Sequence, residues 1–151
     1  MVAIIDYGAG NIFSVKNALD YLGVENKLTA DRNEICAADE IILPGVGAFP
    51  WAMKMLRDSG LVDTIREEAK KKPFLGICLG MQLIFDKGYE FEETDGLRLI
   101  GGKVEKIDRK DMIIPHMGWN ELEINRDCPI LKGLPEHPYV YFVHSYAAVC
   151  D

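Results

Sequence analysis

The stretch from Pro73 to Phe85, PFLGICLGMQLIF, sets one cysteine, Cys78, between two glycines, Gly76 and Gly80. Gly-x-Cys-x-Gly has the spacing of a nucleophile elbow, where a strand turns sharply into a helix and the reactive side chain stands at the strained corner. Glycines flank such a corner because larger side chains would clash there. A thiol in this place gains twice from the helix that follows. The partial positive charge at the helix N-terminus favours the thiolate, and free N–H groups receive an oxyanion. The backbone N–H of Leu79, the residue after Cys78, is the natural donor. The same pattern also reads as a buried structural cysteine in an apolar strand, and spacing alone does not decide. Gln82 stands one helical turn beyond Cys78 in an otherwise apolar segment, where it can face the same space as the thiol. A second loop, Pro44-Gly45-Val46-Gly47, reads in two ways as well. It is a turn that ends a strand, or a flexible backbone whose N–H groups around Val46 and Gly47 complete an oxyanion hole.

Both loops need strands to carry them. Residues 2–8, VAIIDYG, form a β-rich apolar run ending at glycine, which predicts a buried strand. Ile12, Val15, Leu19 and Leu22 recur at helical spacing over 11–23, with Asn11 as N-cap and Gly23 at the C-terminal stop. NKLTA is a weak short strand, and EIILPGVGAF (40–49) a strong one that breaks at Pro44-Gly45. Leu61, Ile65 and Ala69 mark another helix, closed by the lysines at 70–72 and Pro73. FLGICLG then gives a strand and LGMQLIF a helix. Over the first 86 residues strand and helix alternate, which predicts an α/β fold with an open, mostly parallel, doubly wound sheet. In such sheets ligands bind beyond the C-terminal ends of the strands, where both glycine loops would lie. LRLIGGKVEKI, ELEI and YVYFVHSYAAV add strands in the second half, as extensions of the sheet or as a hairpin layer beside it.

Composition narrows the function classes. The 151 residues suit one domain, residues 1–151. A net charge of -7 argues against a general nucleic-acid surface. The densest basic cluster, KKKP at 70–73, reads as the solvated end of a helix. No apolar run approaches membrane-spanning length. Cysteines at 36, 78, 128 and 150 form no C-x-x-C pair, and with three scattered histidines they show no zinc-ligand spacing. We expect reduced thiols, a cytoplasmic protein, and neither metal nor cofactor.

DYGAGN, LPGVGAF, GICLGMQLIF, PHMGWN and YFVHSYAA, in that order, resemble the class I (triad) glutamine amidotransferases. More narrowly, the set is similar to the glutaminase subunits of imidazole glycerol phosphate synthase, an enzyme of histidine biosynthesis. The likeness runs from residue 3 to about residue 148. It implies hydrolysis of glutamine to glutamate and ammonia, with the ammonia channelled to a (β/α)8-barrel synthase subunit in a heterodimer. It implies Cys78 as nucleophile, and Leu79, Val46 and Gly47 as oxyanion-hole elements. It implies Gln82, Glu90, His144, Ser145 and Tyr146 as residues that hold glutamine, and Asn11 and Trp119 in segments that face the partner. Taken alone, the sequence favours Glu90 as one solvated acid of the stretch EFEE, and Trp119 reads as a core residue or as an exposed interface residue. His116 reads as a structural loop residue.

A thiol acting on an amide needs a base, and in this family a His-Pro-Glu-type motif downstream of HSYAA supplies it. The chain ends at Asp151 without that motif; His137-Pro138 is followed by Tyr139 and precedes the HSY segment. His144 is the remaining candidate, and the resemblance gives it to substrate binding. We therefore expect a C-terminally incomplete amidotransferase domain with exposed apolar sheet edges and little glutamine turnover of its own. The alternatives are a paralogous amidotransferase of surface-sugar biosynthesis, or a non-catalytic relative that binds glutamine or a partner.

Overall fold

The computed structural model describes residues 1–110, 113–125 and 127–151. They fall into two compact units, one made of Met1–Glu105 with Ala148–Asp151, the other of Lys106–Ala147.

The first unit is built on a four-stranded parallel sheet. Its strands are β1 (Val2–Ile5), β2 (Asn26–Thr29), β3 (Glu40–Gly45) and β4 (Phe74–Cys78), in the order β2-β1-β3-β4. Helices α1 (Ile12–Tyr21), α2 (Arg32–Ala37), α3 (Phe49–Asp58) and α4 (Val62–Glu68) connect them. β1 and β3 are buried along almost their whole length, as befits central parallel strands covered on both faces. Ile4, Ile5, Ile41 and Leu43 on the strands and Met53, Leu56 and Ile65 on the helices are fully buried. After β4 come a short helix, α5 (Leu79–Gln82), and strands β5 (Phe85–Gly88), β6 (Thr94–Asp95) and β7 (Ile100–Lys106). A second sheet has the order β10-β7-β5-β6, with β10 spanning Tyr146–Cys150. The second unit holds an antiparallel pair, β8 (His116–Glu121) and β9 (Tyr139–His144), in continuous register from His116↔His144 to Glu121↔Tyr139.

The α/β class and the mostly parallel sheet agree with the sequence reading, and four details correct it. The helix expected over LGMQLIF stops at Gln82, and Phe85 opens a strand. A short run that is apolar on every side has no period to tell helix from strand. Helix α3 begins at Phe49, which the apolar pattern alone runs into the preceding strand; Pro50 in its first turn is the signal for the helix start. The strand expected at ELEI lies earlier, at His116–Glu121. The lysine cluster is not a solvated helix end throughout. The Lys72 side chain is only 11% exposed and pairs with Glu68 Oε2 at 2.8 Å. Its Nζ also donates to the carbonyls of Cys36 (2.8 Å) and Ala38 (2.7 Å) at the end of α2.

This cluster has a pH signature. Hydrogen bonds from Lys71 and Lys72 hold the Glu68 carboxyl down at about 2. A carboxyl lowered on folding contributes stability above its unfolded value, and that contribution is lost as pH falls toward its folded value. The expected result is a fall in the unfolding midpoint between pH about 4.5 and 2 that Glu68→Gln flattens. A pH series of thermal melts on both chains checks this.

Candidate active site

β4 ends and α5 begins at Cys78, whose backbone lies at φ 55° and ψ -119°. A positive φ brings Cβ close to the carbonyl and is disfavoured for a residue with a side chain. What holds it is the fit around it. A Cβ on Gly76 would stand 2.5 Å from Met81 Cα, and one on Gly80 would stand 1.9 Å from the Leu43 carbonyl oxygen. One on Gly45 would stand 2.5 Å from Gly80 N. Backbone therefore rests directly on backbone at three points, and α5 can fold back against β3 and β4 only because these residues are glycines. Cys78 itself is exposed, so it is not a buried structural thiol. Its helix is shorter than the sequence suggested, and a single turn supplies little macrodipole.

The register Gly45↔Cys78 places the corner beside the end of β3, where the second glycine loop leaves the sheet. That loop is anchored on one side. The buried Tyr7 hydroxyl donates to the Pro44 carbonyl at 3.0 Å, and burial pushes the Tyr7 phenol up to about 12, which keeps it a donor. Gly10 closes against Pro44, where a Cβ would meet the ring at 3.2 Å. Beyond Gly45 the crowding ends. Val46 is exposed, and Gly47 has φ +97° with open space where a Cβ would be. Helix α3 then begins without a capping side chain from Ala48. Glu90 takes that role from a distance: its Oε2 accepts the Phe49 N–H at 2.8 Å. The half-buried Gln82 lies on α5, within the turn that Cys78 opens.

The structure thus brings Cys78 and Leu79 next to the Gly45–Gly47 loop, with Glu90 at the loop's far end. Sequence reasoning missed Tyr7, whose signal was a tyrosine in a buried apolar run, and it named Gly45 only as part of the loop, without its close approach to Gly80.

Asn11 caps α1, its side chain accepting the Ser14 N–H at 3.3 Å. No residue of α1 is buried, and Phe13, Tyr21 and Leu22 are exposed.

All three histidines lie in the second unit. His144 Nε2 stands 3.0 Å from His116 Nδ1, and His144 Nδ1 is 3.0 Å from the Tyr146 carbonyl. Both ring nitrogens of His144 are engaged within the second unit. His116 sits within β8 rather than in a loop. His137 pairs with Glu121. The Ser145 carbonyl accepts the Ile107 N–H at 3.0 Å. Trp119, 68% exposed, packs edge-on against Tyr141 with centroids 5.6 Å apart, and Met117 and Val143 flank the pair, also exposed. Among the described residues, no group of three His, Cys, Asp or Glu could hold a metal ion. Among them, too, no helix is long and apolar enough to cross a membrane.

Comparison with known proteins bears on this geometry. The family model for "Glutamine amidotransferase class-I" matches residues 3–150. The imidazole glycerol phosphate synthase subunit HisH of Caldanaerobacter subterraneus subsp. tengcongensis is 50% identical over 147 residues, covering 97% of this chain and 72% of the relative. The protein of the same name from Listeria monocytogenes serotype 4a (strain HCC23) is 51% identical over 152 residues, covering 99% of this chain and 73% of the relative. A crystal structure of a glutamine amidotransferase, 21% identical, superposes with a TM-score of 0.71 over 95% of this chain and 71% of its own, and shows the same fold. With an exposed cysteine at a strand–helix corner, and with relatives at this level of identity, the chain belongs to the class I glutamine amidotransferase family.

Proposed function

We propose that this chain is the glutamine-hydrolysing subunit of an imidazole glycerol phosphate synthase. The observation that carries the reading is the corner at Cys78, an exposed thiol at φ 55° between two glycines that admit no side chain. In this reading Cys78 Sγ attacks the amide carbon of glutamine. The amide nitrogen leaves as ammonia, taking up the thiol proton, and a thioester remains. Water then hydrolyses the thioester to glutamate and restores the thiol. The oxyanion formed on the way is received by the Leu79 N–H and by the Val46–Gly47 peptide.

Gln82 and Glu90 hold the substrate, Glu90 through a charge-assisted hydrogen bond to its ammonium. Residues 144–146 also contribute to holding it. No residue of the first unit is a histidine, so the base is not assigned to that unit.

The ammonia passes to a (β/α)8-barrel synthase subunit in a cytoplasmic heterodimer. Two exposed faces support a protein partner: α1, and the Met117/Trp119/Tyr141/Val143 face of the β8–β9 pair. The relatives' name as a synthase subunit supports its kind.

Titration calorimetry tests both halves. The chain is expected to bind L-glutamine saturably and the barrel subunit in a one-to-one complex. Exposed tryptophans at interface centres are common hot spots, so Trp119→Ala should weaken the complex by about 30-fold or more. Absence of saturable glutamine binding contradicts the proposed activity, and absence of a complex contradicts the proposed partner.

A further inference from the structure

One face of the β8–β9 pair carries a chain of polar contacts that runs from Asn120 through His116 and His144 to the Tyr146 carbonyl. His116 and His144 are directly opposite each other in the antiparallel register. His116 Nδ1 and His144 Nε2 are 3.0 Å apart, and His144 Nδ1 lies 3.0 Å from the Tyr146 carbonyl. At the other end, His116 Nε2 lies 2.8 Å from Asn120 Oδ1. Gly118 stands between His116 and Asn120 on the strand and has no side chain to interrupt that contact. The Phe142 ring packs on both imidazoles, with centroids 5.3 Å from His116 and 5.5 Å from His144.

Donor and acceptor rules fix the protons along this chain. A carbonyl only accepts, so His144 Nδ1 carries a hydrogen. A neutral imidazole has one N–H and one lone pair, so His144 Nε2 accepts, and His116 Nδ1 donates to it. With both rings neutral, His116 Nε2 is bare and receives an N–H from the Asn120 amide turned by half a rotation, so the Nδ1–H of His116 points at His144. The result is a histidine locked in its Nδ1–H form, the minor tautomer of a free imidazole.

We propose that His116 is a positioning residue for the segment His144–Tyr146: it fixes the tautomer and orientation of His144, which in turn pins the Tyr146 carbonyl. Together with the Ile107 N–H on the Ser145 carbonyl, this presents residues 144–146 in one conformation. The consequence for substrate rests on the proposed role of that segment in holding glutamine.

Nitrogen-15 NMR of the full chain, labelled at its three histidines, tests this, with each resonance pair assigned by single substitution. In the unaltered chain near neutral pH, His144 is expected to show a protonated Nδ1 and an unprotonated Nε2. His116→Phe keeps a ring beside Phe142 but removes the donor, so His144 should revert to a mixture dominated by the Nε2–H form. His116→Asn puts an amide N–H close to the place of Nδ1 and should restore the Nδ1–H signature even if the phenylalanine variant folds poorly. Glutamine affinity should fall about tenfold in His116→Phe and stay near its original value in His116→Asn. An Nε2–H tautomer in the unaltered chain overturns the proposal, as does an Nδ1–H form that persists in His116→Phe. A shifted tautomer with unchanged glutamine affinity overturns the positioning role while leaving the hydrogen-bond chain intact. No glutamine binding by the unaltered chain overturns the functional reading itself, and the tautomer signal, which needs no substrate, separates that failure from the others.

Discussion

Gly80→Ala is expected to destabilise the first unit by about 3 kcal/mol or more, because the added methyl has nowhere to go. Its Cβ would lie 1.9 Å from the Leu43 carbonyl oxygen and 3.0 Å from the Pro44 carbonyl carbon. These are backbone atoms of a buried central strand and cannot turn aside as a flexible side chain would. Relief requires α5 to lift away from β3, and Cys78 moves with it. For a chain of this size the effect amounts to a drop of roughly 10 °C in the unfolding midpoint. Gly47→Ala provides the contrast. It meets no atom within 4 Å, and only its φ of +97° opposes the substitution, which costs about 1–2 kcal/mol. Thermal melts of the two variants separate steric fit from backbone strain. Equal losses would contradict the close packing described for the corner.

The second large effect is expected at Glu90, where two roles meet in one carboxylate. Glu90 Oε2 caps α3 by accepting the Phe49 N–H, and we propose that the same group receives the ammonium of glutamine. Glu90→Gln retains a carbonyl oxygen for the cap and loses the charge. Glutamine affinity should fall by about 10- to 100-fold, the worth of a hydrogen bond between charged groups, with the unfolding midpoint nearly unchanged. Glu90→Ala loses the cap as well and should cost about a further 1 kcal/mol of stability. Calorimetric glutamine titrations alongside melts distinguish the outcomes. A glutamine variant that binds substrate normally would reduce Glu90 to a helix cap.

How much of this was legible beforehand follows from which signals are local. The strand–helix alternation of residues 1–86 was readable because β1 and β3 are apolar runs bounded by glycine, and because α1 has regular spacing with its cap at Asn11. The elbow at Cys78 was readable because its steric requirement, glycine on both sides, is written within five residues. Contacts made over long separations were not. Tyr7 reaches Pro44 across 37 residues, and Glu90 reaches Phe49 across 41. Lys72 looked like one of three solvated lysines until α2 came to lie under it. His116 and His144 are 28 residues apart, and only the register of β8 and β9 makes them partners. The shortness of α5 was unreadable for a different reason: Leu83, Ile84 and Phe85 are apolar whichever way the chain turns, so their pattern carries no period.

The central claim is that Cys78 is a nucleophile directed at glutamine, and its most direct test is competitive alkylation with a glutamine-mimicking electrophile, read by mass spectrometry. Cys36, Cys78 and Cys150 are all exposed and Cys128 is half-buried, so accessibility alone does not single out one thiol. Cys78 is expected to be labelled first, with L-glutamine slowing its labelling and leaving the other three unaffected. Earlier labelling of Cys36, Cys128 or Cys150, or a Cys78 rate indifferent to glutamine, would contradict the account.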